Sequence, residues 1–330
     1  MADYQNRLDL LARVASLYYD NNKKQEEIAQ EIGLTRSAVS RLLTEAQEKG
    51  IVEHIVHYPW RTSTELERGL ASRFNVRQVQ VLIRQNKSYQ EMLEGLGVLA
   101  AQYFTSILPK LNIVGITWGT GLFQMVRAFR PQSRPNMEVI QLIGGTGTEH
   151  GSSIGPLLAP SLANALGCTC RFLHAPLIMQ NAVSHAAVME DPTIRDTLDR
   201  AERSDIALVG IGTTLPELNN AYKLGYISLQ EIEQMRTDGL VGDVAGLHYN
   251  LQGEILRDHW INQRIVAIRP ASLAKIKEVM GVAGGYRKGE SIFAALRGGH
   301  IDILITDDVA AKKVLELDDF YKNNPLTNLN

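Results

Sequence analysis

Three sets of residues could do chemistry by their type and spacing. The first is Thr35, Arg36, Ser37, Ser40 and Arg41, with Lys24 a short distance upstream. Short hydroxyls and guanidinium groups gathered within two helical turns suit phosphate oxygens and base edges. The second set consists of glycine and hydroxyl residues in short loops: Trp118, Gly119, Thr120 and Gly121; Gly145 and Thr146; Gly212 and Thr213. A Gly/Thr turn at a helix start exposes backbone N–H groups, which suits a phosphate or another anion. One such loop is a common turn, but repetition in one chain is harder to explain by turns alone. The third set is Asp243, between glycines in Gly242-Asp243-Val244-Ala245-Gly246, and Lys288, after Gly284 and Gly285. Asp243 can accept hydrogen bonds from sugar hydroxyls or simply form a turn. Lys288 can meet an anion or decorate a solvated helix start. Trp118 can stack on a ligand or pack in the core.

Other chemistries find no support. Cys168 and Cys170 are the only cysteines. Their spacing is too strained for an easy disulfide, so a reduced, cytoplasmic setting is expected. With His174 they could share one face of an extended segment, but no further ligand lies at metal spacing. No metal and no cofactor is expected. No apolar run approaches the ~18 residues of a membrane span, and the charged start of the chain does not read as a signal peptide. The formal net charge is −2, so any nucleic-acid surface must be a local patch.

The elements that must position these groups fall into two patterns. Residues 8–19, 25–31 and 36–49 carry apolar positions at helical spacing, with Gly33 ending the second helix and Thr35 capping the third. Leu34 is expected to pack into the turn. Two short helices around a Gly-containing turn form a helix-turn-helix unit, whose second helix enters the major groove of double-stranded DNA. Ile51, Val52, Ile55 and Val56 read as a following wing. Residues 1–57 carry seven Lys/Arg against nine Asp/Glu, so one copy of this unit should bind weakly. Two or more copies on one operator would be required.

Beyond about residue 60, strands alternate with helices. Strands are predicted over 78–83, 112–117, 138–143, 206–211, 265–268 and 301–305. Helices are predicted over 89–108, 122–129, 157–166, 273–279 and 291–297. This alternation predicts an α/β fold, a Rossmann-like and mostly parallel sheet covered on both faces. Ligands in such sheets sit at the carboxyl ends of the strands, where the glycine loops fall. The domain reading is 1–58 for a winged helix-turn-helix DNA-binding unit and 59–330 for a sugar-binding and oligomerisation domain. The amphipathic segment 89–108 is a candidate for packing between subunits.

Together the two halves resemble the SorC family of sugar-responsive bacterial transcription regulators, also grouped with DeoR-type regulators. The strings that carry the resemblance are EEIAQEIGLTRSAVSRLL (26–43), GITWGTG (115–121), ALVGIGT (207–213), GDVAG (242–246) and GVAGGYRKGESIFAALRGGHIDILITD (281–307). The resemblance implies an effector domain shaped like ribose-phosphate isomerases and glucosamine-phosphate deaminases. It also implies a dimer or tetramer, a sugar, polyol or phosphosugar effector, and control of a carbohydrate-utilisation operon as repressor or activator. It places the family's phosphate loop on Trp118, Gly119, Thr120 and Gly121, its GD motif on Asp243 and its C-terminal lysine on Lys288. Lys24 stands where many relatives cap the second helix with Thr, and Gly121 where several phosphosugar binders carry a second hydroxyl. The competing reading is a sugar-phosphate isomerase or deaminase. That chemistry needs a positioned carboxylate base, and no acidic cluster follows any predicted strand. No catalytic residue is assigned.

Overall fold

The computed structural model describes residues 2–52, 60–145 and 157–324. The chain divides into two compact units, Met1–Pro59 and Trp60–Asn330. In the first, α1 (Ala2–Tyr19), α2 (Gln25–Ile32) and α3 (Arg36–Glu48) enclose a small core of Leu11, Val14, Ile28, Val39, Leu42, Leu43 and Ala46. Helix α1 begins six residues earlier than its apolar pattern suggested, since polar residues extend a helix without revealing it. The end of α2 is set by Gly33, whose backbone is left-handed (φ 69°) and whose N–H bonds the Ala29 carbonyl. Leu34 does not pack into the turn. It is 40% exposed, because its backbone N–H closes the turn on Ala29 while the side chain turns outward. Of the expected wing, Ile51 and Val52 lie partly buried against the helices. Ile55 and Val56 lie outside the described residues.

The second unit is built on a seven-stranded sheet: β1 (Gln78–Leu82), β2 (Ile113–Ile116), β3 (Glu138–Gln141), β4 (Thr169–Arg171), β5 (Ile206–Gly210), β8 (Val279–Val282) and β9 (Ile303–Asp307), ordered β1-β9-β8-β5-β2-β3-β4. Every pairing in it is parallel. A separate antiparallel hairpin joins β6 (Leu240–Val244) to β7 (Leu247–Asn250). Apolar side chains cover both faces of the sheet. On β5, Ala207 and Val209 enter one cluster while Ile206 and Leu208 enter the other, as the two-residue period of a strand requires. The strand order reverses direction between β2 and β5, so their carboxyl ends splay and leave a crevice.

Helices α4 (Thr64–Arg73), α5 (Tyr89–Ile107), α6 (Thr120–Ala128), α7 (Leu158–Leu166), α8 (Ala182–Glu190), α9 (Pro192–Ala201), α10 (Asn220–Lys223), α11 (Leu229–Thr237), α12 (Pro270–Leu273), α13 (Gly289–Arg297) and α14 (Asp308–Asn323) complete the unit. Most of the apolar side of helix α5 is used within the unit itself. Nine of its residues, Leu96 and Phe104 among them, are already buried within the unit. Burying each such large side chain contributes roughly 1.5–3 kcal/mol. Residues 265–268 do not form a ladder strand. They cross the sheet's end and make only single bridges, Ile265 with Ile178 and Ala267 with Ile143. All four are buried, and an apolar run buried on every side has the pattern of a central strand. The helix expected over 273–279 shortens to the single turn α12, and Val279 instead opens β8 beside β5.

Candidate effector cleft and DNA-reading helix

The crevice between β2 and β5 opens into a cleft lined by both loops. One wall follows β2. Thr117 donates to the Leu208 carbonyl and accepts from the Gly210 N–H, which ties the two loops together. Trp118 and Gly119 come next, and Thr120 starts α6. Gly119 has φ 151°, a conformation a side chain would strain. No side chain caps α6, so its first amides are available to a ligand. The Thr120 hydroxyl makes no hydrogen bond among the described residues. A Cβ on Gly121 would press on the Val282 carbonyl at 2.9 Å, which explains why the second hydroxyl expected there is absent.

The opposite wall follows β5 and the β6–β7 hairpin. The Gly212 N–H donates to the Asp243 carbonyl at 2.8 Å, and Ile211 bridges Val244. A Cβ on Gly212 would overlap the Asp243 carboxylate, so only glycine lets that carboxylate lie over the loop. The hairpin turns at Ala245 (φ 53°) and Gly246 (φ 78°), both left-handed, which matches the right-handed twist of the two strands. The Asp243 Oδ2 accepts the Gly246 N–H at 3.2 Å and so closes that turn. Tyr249, fully buried, donates to the Ser291 carbonyl at 2.9 Å and fastens the hairpin to α13. Lys288 precedes α13 and donates to the Ile211 carbonyl. Burial lowers its pKa to about 8, against the pull of Asp243 and with help from Lys223. Ile178, Ile211, Ile227, Ile261 and Ile265 supply the apolar part of the lining.

Of the ten residues expected to meet the effector, Trp118, Gly119, Thr120, Gly121, Gly212, Thr213, Asp243 and Lys288 line this one cleft. Gly145 does not line it. Its N–H bonds the Ala175 carbonyl and its own carbonyl accepts from Leu177, so it serves backbone pairing behind the wall. Thr146 lies outside the described residues. Thr213 is partly spent on structure, accepting from the Leu215 N–H. Among the lining residues that escaped the sequence reading are Asn219, whose side chain spans the Thr213 carbonyl and the Tyr222 N–H, and His248, the cross-strand partner of Asp243. No sequence signal marked His248, because its pairing with Asp243 depends on a turn at Ala245 and Gly246 that the sequence does not announce.

In the first unit, Thr35 caps α3 by accepting the Ala38 N–H at 3.2 Å. Arg36, Ser37, Ser40 and Arg41 are exposed along one side of α3, opposite the buried Val39, Leu42 and Leu43. Arg36 pairs with Glu26 at 3.2 Å, and the Arg41 Nε reaches the Ser37 carbonyl at 3.4 Å. Lys24 stands at the N-cap of α2, where the Glu27 carboxylate accepts its backbone N–H at 2.8 Å. The cysteines are free and partly buried, and burial pushes the Cys170 thiol up to about 11. Among the described residues no group could hold a metal, and no helix is long and apolar enough to cross a membrane.

Residues 58–316 match the family model described as "Putative sugar-binding domain". The chain belongs to this family. Its relatives are the SorC/DeoR-type regulators. It is 28% identical to the deoxyribonucleoside regulator of Bacillus subtilis over 94% of this chain and 98% of that one. It is 29% identical to the transcriptional regulator LsrR of Enterobacter sp. over 94% and 93% of the two chains. The solved structure of the full-length sorbitol operon regulator SorC from Klebsiella pneumoniae is similar at 25% identity and a TM-score of 0.69, over 94% of this chain and 99% of that one. This family member is therefore a sugar-responsive transcriptional regulator, and the isomerase or deaminase alternative falls away.

Proposed function

We propose that the cleft between β2 and β5 binds a sugar, polyol or phosphosugar, and that its occupancy controls how α3 reads operator DNA. In this reading residues 1–58 bind double-stranded DNA, residues 59–330 sense the effector and assemble a dimer or tetramer, and the target is a carbohydrate-utilisation operon. The observation that carries it is convergence. Eight residues, drawn from the loops after β2 and β5, from β6 and from the turn before α13, line one cleft. They combine uncapped helix amides, a carboxylate, an ammonium group and an apolar floor, a mixture that suits a hydroxylated and anionic small molecule. The balance of charge in the first unit favours an oligomer, since one reader offers few phosphate contacts. A thermal-shift screen of the full chain against sugars, polyols and their phosphates tests the effector, because stabilisation grows with the logarithm of ligand over its dissociation constant. A flat response across the panel would sink the effector assignment. Light scattering of the full chain tests the assembly, and a strict monomer at micromolar concentration would contradict it.

A further inference from the structure

We propose that His248 is the specificity-determining residue of the cleft, meeting a hydroxyl of the effector beside the one met by Asp243. This rests on the cleft being the effector site. Asp243 and His248 are directly opposed in the β6–β7 register, so both side chains stand on one face of the hairpin, and both line the cleft. The backbone of His248 is held on both sides by Asn262: its N–H donates to Oδ1 at 2.9 Å, and its carbonyl accepts from Nδ2 at 2.9 Å. The imidazole is thus presented from a fixed frame.

The ring itself is not used by the fold in the way its neighbours are. His185, His259 and His300 each hold a protein partner through Nε2: the Ile265 carbonyl at 3.0 Å, the Asp238 carboxylate at 2.9 Å and the Gly253 carbonyl at 2.6 Å. His248 is 6% exposed, and its buried Nδ1 has no hydrogen-bond partner among the described residues. The indole Nε1 of Trp118, across the same cleft, is likewise buried without a partner among the described residues. A native fold seldom leaves such atoms unmatched without a role. A phenyl ring in place of the imidazole would fill the same space with no orphaned nitrogen. Burial keeps His248 below the ordinary histidine range, against the pull of Asp243 and of the neighbouring Asn262 side chain and Gly246 backbone. A neutral imidazole carries one donor and one acceptor, which matches a hydroxyl and not an anion. The carboxylate of Asp243, with Oδ2 turned to Gly246, offers an acceptor beside it. The pair therefore fits two neighbouring hydroxyls of a polyhydroxylated chain or ring.

The test is calorimetry on the full chain and on His248→Phe and His248→Gln, with D-ribose 5-phosphate, 2-deoxy-D-ribose 5-phosphate, D-fructose 6-phosphate, D-glucitol 6-phosphate and their unphosphorylated parents. The compound held most tightly by the wild type should bind His248→Phe at least ten-fold more weakly, with preference moving toward the deoxy compound. His248→Gln should retain more of the affinity. Without ligand, His248→Phe should melt no lower than the wild type. If His248→Phe does not fold, His248→Gln decides by the same ranking. Unchanged affinity and ranking overturn the inference and leave the sugar reading standing. Lowered melting with unchanged affinity also overturns it, since that is the mark of a packing role. If no compound binds the wild type, the sugar reading itself fails and this inference falls with it.

Discussion

At the scale of single residues, the two units ask different things of their charges. Arg36 and Arg41 lie on the exposed side of α3, and neither is built into the core. Replacing either by Ala should cost roughly 1–3 kcal/mol of operator binding if it reads a base, and should relax the preference at one position. Anisotropy titrations at fixed salt would check this, and unchanged affinity in both variants would remove α3 from the DNA. Lys288 is the opposite case, a cation drawn into the cleft wall with its pKa at about 8. An unfolded lysine stays protonated to about 10.4. Between those values the unfolded chain binds the extra proton, so this residue makes stability rise with pH there. Affinity for an anionic effector should move the other way and weaken as pH rises through about 8, because the ammonium form is lost. Calorimetry from pH 7 to 9 should show that slope in the wild type and a flatter one in Lys288→Met.

Elements decide whether those residues meet. The most exacting fit is between the loop after β5 and the β6–β7 hairpin, where Gly212 gives way to the Asp243 carboxylate. Gly212→Ala should destabilise the chain by about 1–3 kcal/mol, as overpacking does. Asp243→Ala in the same chain should recover most of that loss, since the clashing group is gone. Urea titrations of the two singles and the double would show it, and simple additivity would place the strain elsewhere. The hairpin also shows where reading the sequence stops. The central strands β2, β3 and β5 were legible because buried parallel strands are continuous apolar runs. Strand β8 was hidden, since Val279-Met280-Gly281-Val282 runs straight into the glycines of the Lys288 motif. Strand β4 has only three residues, two of them polar or charged, and gives no pattern. The turn of the hairpin places Ala245 in a left-handed conformation that sequence reserves for Gly, Asn or Asp. Its two strands therefore read as one glycine-flanked loop, and the pairing of His248 with Asp243 could not be seen. The loops after β2 and β5 were legible as cleft-lining loops because their glycines are required by backbone conformation and contact. Gly145, set in a similar string, answers to backbone pairing instead, and composition cannot tell those two demands apart.

For the whole molecule, the cleft and α3 belong to different compact units, so the effector must act through the equilibrium between two arrangements of the protein. The coupling is then reciprocal: effector should change operator affinity, and operator should change effector affinity by the same factor, typically about 5–150-fold. Thr120→Ala and Lys288→Ala should weaken effector binding and blunt this response, while effector-free operator binding stays near the wild type. Paired calorimetry and operator titrations would settle it. If both variants lose operator binding without effector, the loops serve folding or assembly. One border of the sheet has a consequence of another kind. Strand β4 ends the sheet on one side, and its Arg171 is clasped by Glu138 of β3 at 2.9 Å, with Asp196 at 2.7 Å; Arg200 of α9 holds the same Glu138 at 2.7 Å. Burial works against the Glu138 charge, but the two arginines outweigh it and hold the carboxyl below its usual range. That clasp is complete above about pH 4.5 and is lost as acid carries the pH down through the lowered value. The flanking strand is short, charged and closed at neutral pH, which is how sheet borders are kept from recruiting other chains. In acid Glu138 and Asp196 lose their charge while Arg171 and Arg200 keep theirs, so the clasp opens on two unpaired guanidinium groups, and their repulsion should loosen β4 from β3 before the rest of the sheet comes apart.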